Sequence, residues 1–285
     1  MANQVYDNEV ISAKVEDLYT THLDLNQFIT VSDALMATAG DNITINRYNI
    51  TGDVEDLAMG VGNAQDVETV IKGYNYKVGV TQGRITYYDE QVNKDPMFAD
   101  VAVQGVTAKM ANNINAKIVG QLAQAQIQQT VTSFNFDAVV DGLSVLNLEE
   151  DAGLYLLLNV KTYGKLKKSI KADLQYVEDF VRTGYVGTLV GMPIYVSKAV
   201  PDDIMFIASK DAVTCFVKRG TEVEYDRDPN TRKNEYFVRK TQVIALTDET
   251  KACAIGTEEA LTKLASLASN PKFTDTAIDP NSKIV

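Results

Sequence analysis

The sequence predicts an α+β fold in which an extended ribbon and one long helix precede a mixed α/β domain. Three observations predict it. Two extended segments flank a glycine-rich, acidic stretch between residues 41 and 90. Apolar residues then recur at every fourth position from Phe98 to Leu122. From residue 133 onward, short apolar runs alternate with capped helical segments.

With 285 residues the chain can build one large core or two ordinary ones. Hydrophobic residues at 45% and charged residues at 23% place it among folded globular proteins. No run approaches the roughly 18 apolar residues of a membrane span. The start, MANQVYDNEVISAK, has neither the basic head nor the apolar core of a signal peptide. The expectation is a chain with no membrane partner that stays where it is made. Lys and Arg number 27 against 38 Asp and Glu, a formal charge of −11, which repels phosphate backbones unless a local basic face overrides the total. That argues against a dedicated nucleic-acid binder.

The first 40 residues read as an arm, with Ile11, Val15, Leu18 and Tyr19 on one face of a short helix over residues 7–20. The ribbon follows. Its outgoing strand places Ile43 and Ile45 on one face, then Tyr48 and Ile50 on the other. Its return strand carries Tyr74, Tyr76, Val78 and Val80 on one face and changes phase after Gly83 to Ile85 and Tyr87. A two-stranded ribbon is marginal alone in water, so this one is expected to rest on another subunit.

Asp95 and Pro96 supply an N-cap and a first-turn proline for the long helix. Continued to Gln129, it would measure about 50 Å, which makes it a spine. The segment NFDAVVDGLSVLN predicts another capped helix, and LYLLL a central strand covered on both faces. A helix with Leu166, Ile170 and Leu174 follows, then strands in VGMPIYVSKAV, DIMFIAS and AVTCFVKRGTEVEYD. The segment NEYFVRKTQVIALTDETKACAIG predicts two or three more strands, before a short helix over 257–268 and a polar tail.

Catalytic chemistry finds little footing. The single histidine, His22, has no partner motif, which sets aside Ser/His/Asp catalysis and multi-histidine metal sites. GVGNAQ at Gly60 lacks the third glycine of a dinucleotide loop, and no GxxxxGK[ST] occurs. Asp226, Asp228 and Asn230 are spaced as in a calcium loop, yet Thr231 and Phe237 stand where glycine and glutamate are needed, so a charged turn is expected. Cys215 and Cys253 lie in apolar segments and read as buried thiols, with a pairing across strands as the alternative. Lys161, Lys165, Lys167, Lys168 and Lys171 form a solvated helix face or a patch for phosphate or a partner. Glu149, Glu150 and Asp151 read as a solvated helix end. No catalytic, cofactor or metal residue is nominated, and the expectation is no enzyme and no cofactor.

This order of elements resembles the major capsid proteins of tailed bacteriophages that share the HK97-type fold. The resemblance covers nearly the whole chain and rests on NITINRYNITGDVEDLAMGVGN as an outgoing extended loop and RITYYDEQVNKDPMFADVAVQGVTAKMANNINAKIVGQL as return strand and spine helix. It rests also on GYVGTLVGMPIYVSKAVP in an A domain and on NEYFVRKTQVIALTDETKACAIG as strands returning to a P domain. It implies an arm (1–40), an extended loop (41–90), a spine helix (91–132), an A domain (133–225), P-domain strands and loop (226–256), and a C-terminal helix and tail (257–285).

By the same resemblance the chain is a structural subunit of an icosahedral head, self-assembling into hexamers and pentamers around double-stranded DNA without sequence-specific binding. A portal protein is an implied partner, with scaffolding and decoration proteins as optional ones. Location in the virion, after assembly in the host bacterial cytoplasm, is implied too. Met1 leads almost directly into the arm, which sets the expectation of a separate scaffold or none and no cleavage. The ribbon and the turn near Asp228 project polar residues, so the candidate inter-subunit contacts are Arg47, Asp53, Glu55, Asp56, Lys72, Arg84, Asp228, Arg232 and Lys233. The alternatives are an encapsulin-like compartment shell and a monomeric α/β enzyme.

Overall fold

The structure is a computed structural model and describes residues 25–36, 40, 42–57, 59–64, 66–94, 97–148, 153–174, 188–268 and 277–278. The expected helix over 7–20, His22, the caps Asp95 and Pro96, the carboxylates 149–151 and most of the C-terminal tail lie outside the described residues.

The arm ends inside the fold. Leu25 and Ile29 are buried in the main core, and β1 (Thr30–Ser32) pairs in parallel with β10 (Val213–Asp228) from Thr30↔Thr214. The Phe28 ring lies 4.0 Å from that of Tyr195 and 5.2 Å from that of Tyr155, which joins the arm to the later strands.

The ribbon pairs β2 (Asn42–Thr51) with β3 (Glu68–Lys77), in register from Asn42↔Lys77 to Thr51↔Glu68. The expected single return strand is in fact two. At Val78 the chain leaves the ribbon and continues as β4 (Gly79–Tyr88), which pairs with β11 (Lys233–Leu246) from Gln242↔Gly79 to Lys233↔Tyr88. The buried face therefore switches at this change of sheet, at Val78 and not after Gly83, and Val80, expected on the Tyr76 face, is exposed. Tyr76 is buried with Leu35, Val243 and Ala245 at the ribbon's root, whereas Ile85 and Tyr87 face the main core. Gly83 sits under the long helix, where a Cβ would come within 2.5 Å of Val106 Cγ1, so the absent side chain lets helix and sheet approach.

After α1 (Asp89–Lys94), the spine helix α2 spans Phe98–Leu122, 25 residues and about 37 Å long. Met110, Ile114, Ile118 and Leu122 are buried, and Phe98, Ala102 and Val106 pack half-buried against the same core. The four-step row thus forms the buried face. The helix does not continue to Gln129. It tightens at its end, where Gln124 N–H bonds the Gln121 carbonyl at 3.0 Å and Ala125 N–H the Leu122 carbonyl at 3.1 Å. Ile127–Thr130 then forms β5, pairing in parallel with β12 (Ala252–Gly256) from Cys253↔Ile127. A strand more than a hundred residues away overrides the local helical preference of QLAQAQ.

Two larger sheets meet across the spine. The four-stranded sheet runs β1-β10-β11-β4. The six-stranded sheet adds β6 (Leu154–Leu158), β7 (Thr188–Leu189), β8 (Met192–Val196) and β9 (Ile204–Ser209), in the order β5-β12-β9-β6-β8-β7. As expected of LYLLL, β6 is buried throughout, between antiparallel β9 and parallel β8. Its alternate residues serve two cores. Leu154, Leu156 and Leu158 pack with α3 (Phe136–Leu146) and α4 (Val160–Leu174), while Tyr155 and Leu157 join the spine-helix core with Leu264 of α5 (Glu258–Ala268). Asn135 caps α3, accepting from Ala138 N–H at 2.9 Å, and Asn147 ends it in the left-handed region with φ 46°. Neither Cys215 nor Cys253 is in a disulfide; the two are buried in different sheets, and burial pushes the Cys253 thiol up to about 11. Among the described residues no helix is long and apolar enough to cross a membrane.

Candidate assembly surface

The ribbon strands stop pairing at Thr51↔Glu68, and the described residues beyond them, 52–57, 59–64, 66 and 67, form a tip outside the ladder. Gly52 starts it with φ +107°, and a Cβ there would stand 2.6 Å from the Asp66 carbonyl, so the close crossing of the two strands needs glycine. The Glu55 carboxylate accepts from Ala64 N–H at 2.9 Å and holds the tip closed. Asp53 and Asp56 face solvent beside it.

Sequence reasoning singled out the tip's acids and passed over its apolar residues. Met59 is fully exposed, Val54 is 89% exposed, and Leu57 and Val61 are exposed as well. Their signal was present as isolated apolar residues in a polar loop. From Tyr48 to Ile71 the chain carries five carboxylates, Asp53, Glu55, Asp56, Asp66 and Glu68, and no Lys or Arg. Arg47 and Lys72 stand directly opposite each other in the register at the base of this stretch.

A second projection is the outer end of the β10–β11 hairpin. The Asp228 carboxylate accepts from Asn230 N–H at 2.9 Å and from the Thr231 hydroxyl at 2.7 Å, and these bonds, Thr231's first, hold its pKa below the ordinary carboxylate value. The calcium-like spacing is therefore spent on a turn. Two of the predicted contact residues form ion pairs within the chain: Arg232 pairs with Glu90 at 3.0 Å, and Lys233 with Glu235. Behind the turn, Asp89 accepts from Asn234 Nδ2 at 2.5 Å and from Arg227 at 2.9 Å. The amide contact contributes most to lowering the Asp89 pKa. Tyr225 donates to Asn234 Oδ1 at 2.5 Å; the Tyr225 ring lies tilted 4.8 Å from that of Tyr236, which stacks on Tyr87 at 6.0 Å. Arg84 is exposed on the sheet's outer face, in register with Phe237. The nine predicted residues thus divide between two projections and one sheet face.

The lysine-rich helix face meets acids of its own chain. Lys161 pairs with Asp202 at 2.5 Å, Lys165 pairs with Asp203, and the Lys167 ammonium lies 5.3 Å from the Tyr163 ring centre. Among the described residues, no group of three or more His, Cys, Asp or Glu could hold a metal ion. An apolar hollow of about 100 Å³ opens between α2 and α5.

Among solved structures, the chain matches a protein of Mycobacterium phage Che8 with a TM-score of 0.68 at 14% identity, over 81% of this chain and 90% of that one. It has the HK97-type capsid fold. The subunit of the virus-like particle from Pyrococcus furiosus matches this HK97-type chain with a TM-score of 0.62 at 12% identity, over 87% of this chain and 98% of that one. In sequence, a protein of Staphylococcus phage phiMR11 named "Major capsid protein" is 23% identical over 262 residues, 89% of this chain and 94% of the relative. No family model matches. Within the HK97-type fold, the ribbon is the extended loop and α2 the spine helix.

Proposed function

We propose that this chain is the major capsid protein of a tailed bacteriophage, a structural subunit that closes into an icosahedral head as hexamers and pentamers around double-stranded DNA. The carrying observation is the near-full-length likeness to a phage major capsid protein, on a subunit whose ribbon tip holds Val54 and Met59 in open solvent. Exposed apolar side chains at the end of a projection are stabilised by contact with another surface.

The arm, extended loop, spine helix, A domain, P-domain strands and C-terminal segment are assigned to 1–40, 41–90, 91–132, 133–225, 226–256 and 257–285. Arg47, Asp53, Glu55, Asp56, Lys72 and Arg84 are proposed as contacts between subunits, with Asp228, Arg232 and Lys233 at a second contact. A portal protein completes the head, and scaffolding and decoration proteins are further partners. The net charge of −11 supports an inner wall that does not hold the genome, and DNA retained by purified shells at physiological salt would count against that.

A compartment shell is the second reading, kept because the same fold builds the virus-like particle from Pyrococcus furiosus, which comes from a cellular organism and not from a phage. Electron microscopy of the protein expressed with and without its neighbouring genes tests both. Closed particles or capsomer rings are expected, and particles filled with DNA identify a phage head. An enclosed enzyme would identify a compartment. A uniform monomer in both preparations would refute both shell readings.

A further inference from the structure

Near the C-terminus, β13 (Ala277–Ile278) pairs antiparallel with β3, Ala277 opposite Tyr76 and Ile278 opposite Asn75. The strand β3 is therefore the middle of a three-stranded sheet ordered β13-β3-β2. The covered end of β3 is its buried end: Gly73 and Tyr76 are buried and Tyr74 and Asn75 half-buried, whereas Glu68, Thr69 and Ile71 are exposed. On the side of β2, Asn75 Oδ1 accepts from the Thr44 hydroxyl at 2.5 Å. Eight residues, 269–276, separate β13 from the end of α5.

A two-stranded ribbon is marginal in water, and a third strand raises its stability. An open strand edge is also a template for pairing with another chain, and edges that resist it are short, charged and interrupted by proline. The C-terminal segment has that composition. Ala277 and Ile278 stand between Asp275 and Asp279, Pro280 follows with no N–H to donate, and β3 carries Lys72 and Lys77 of opposite charge. We infer that the C-terminal segment is an edge cap for the ribbon: it pairs with β3 of its own subunit, holds the ribbon at its root and denies that edge to a strand of a second copy. The inference concerns the single subunit and stands apart from the shell reading, since each readout below is taken on the unassembled chain.

The test starts from the full-length chain. Residues directly opposite in an antiparallel pair have Cβ atoms about 4.5–5.5 Å apart, and a disulfide needs about 3.5–4.5 Å, so a small strand shift joins Asn75→Cys to Ile278→Cys. Oxidation of this double variant is expected to give a disulfide within one chain, a monomer that migrates faster on a non-reducing denaturing gel. Neither single variant should shift. A ladder of linked subunits would place the segment on a second copy's ribbon, and that result, or no disulfide at all, would overturn the inference. Ala277→Pro with Ile278→Pro removes both N–H donors and keeps the tail, whereas a chain ending at Ala268 removes the segment. In both, amide hydrogen exchange of residues 73–77 is expected to quicken about fivefold or more, while the circular dichroism of the subunit is unchanged. Asn75→Cys added to either should then give a ribbon-to-ribbon disulfide dimer. Unchanged exchange in the proline variant, or no such dimer in either background, would refute the cap.

Discussion

Asn234 donates its side-chain amide to the Asp89 carboxylate at 2.5 Å across 145 residues of sequence, and so ties the outer end of the β10–β11 hairpin to the start of α1. Arg227 reaches the other Asp89 oxygen at 2.9 Å, and the Asp89 backbone N–H bonds the Arg232 carbonyl at 3.2 Å. One carboxylate therefore orients a projection proposed to meet another subunit.

That carboxylate gives a pH signature. Asn234's amide, opposed by desolvation and aided by Arg227, lowers the folded-state pKa of Asp89 below its ordinary 3.8. A depressed acid contributes stability that is present above the unfolded value and is lost as pH falls through the folded one. Asp89→Asn should therefore melt below the wild type at neutral pH. The gap should begin to narrow as pH falls below about 4 and close only below the lowered folded-state value. Thermal melts of the unassembled subunit from neutral pH to acid check this, and a gap independent of pH would sink it.

Gly142 reverses the usual helix rule. In an exposed helix interior, Gly→Ala gains about 1 kcal/mol, but a methyl group on Gly142 would run into Ile255 Cδ1 and crowd Ile207. Overpacking of this kind costs about 1–3 kcal/mol. Gly142→Ala is expected to lower the urea midpoint, and adding Ile255→Val, which removes the obstructing carbon, should recover most of the loss. Additive losses in the double variant would show that the two sites do not collide.

Val190 and Gly191 make the turn between β7 and β8, with φ 51° and 77°. A β-branched residue in the left-handed region stores roughly 1–2 kcal/mol. Glycine would release that strain but gives back about 0.5–1 kcal/mol in unfolded-chain entropy. Val190→Gly should raise the stability of the subunit by up to about 1 kcal/mol, read from denaturant unfolding. A destabilised variant would mean that the partly exposed valine side chain contributes more than its backbone strain costs.

The tip can be removed cleanly, since Thr51 and Glu68 are paired in register. Replacing residues 52–67 with Asn-Gly, which favours a tight two-residue hairpin turn, should leave a subunit with wild-type circular dichroism that forms no closed particles by electron microscopy.

What the sequence by itself determined is what side-chain periodicity encodes: which faces are apolar and which runs are buried. The row from Phe98 to Leu122 is the spine's inner face, LYLLL and IMFIAS are buried strands, and Asn135 caps its helix. For the assembly surface, the acidic tip was legible because its charges are local in sequence. Only the tertiary structure decided where elements stop and which partners they take. The spine ends at Leu122 because β12 recruits Ile127–Thr130, the ribbon's return strand breaks at Val78 because β11 captures β4, and Asp89 finds Asn234. In each case the deciding hydrogen bonds come from residues more than a hundred positions away. A local pattern records the need to bury a face, and it carries no mark of the distant strand or amide that will cover it.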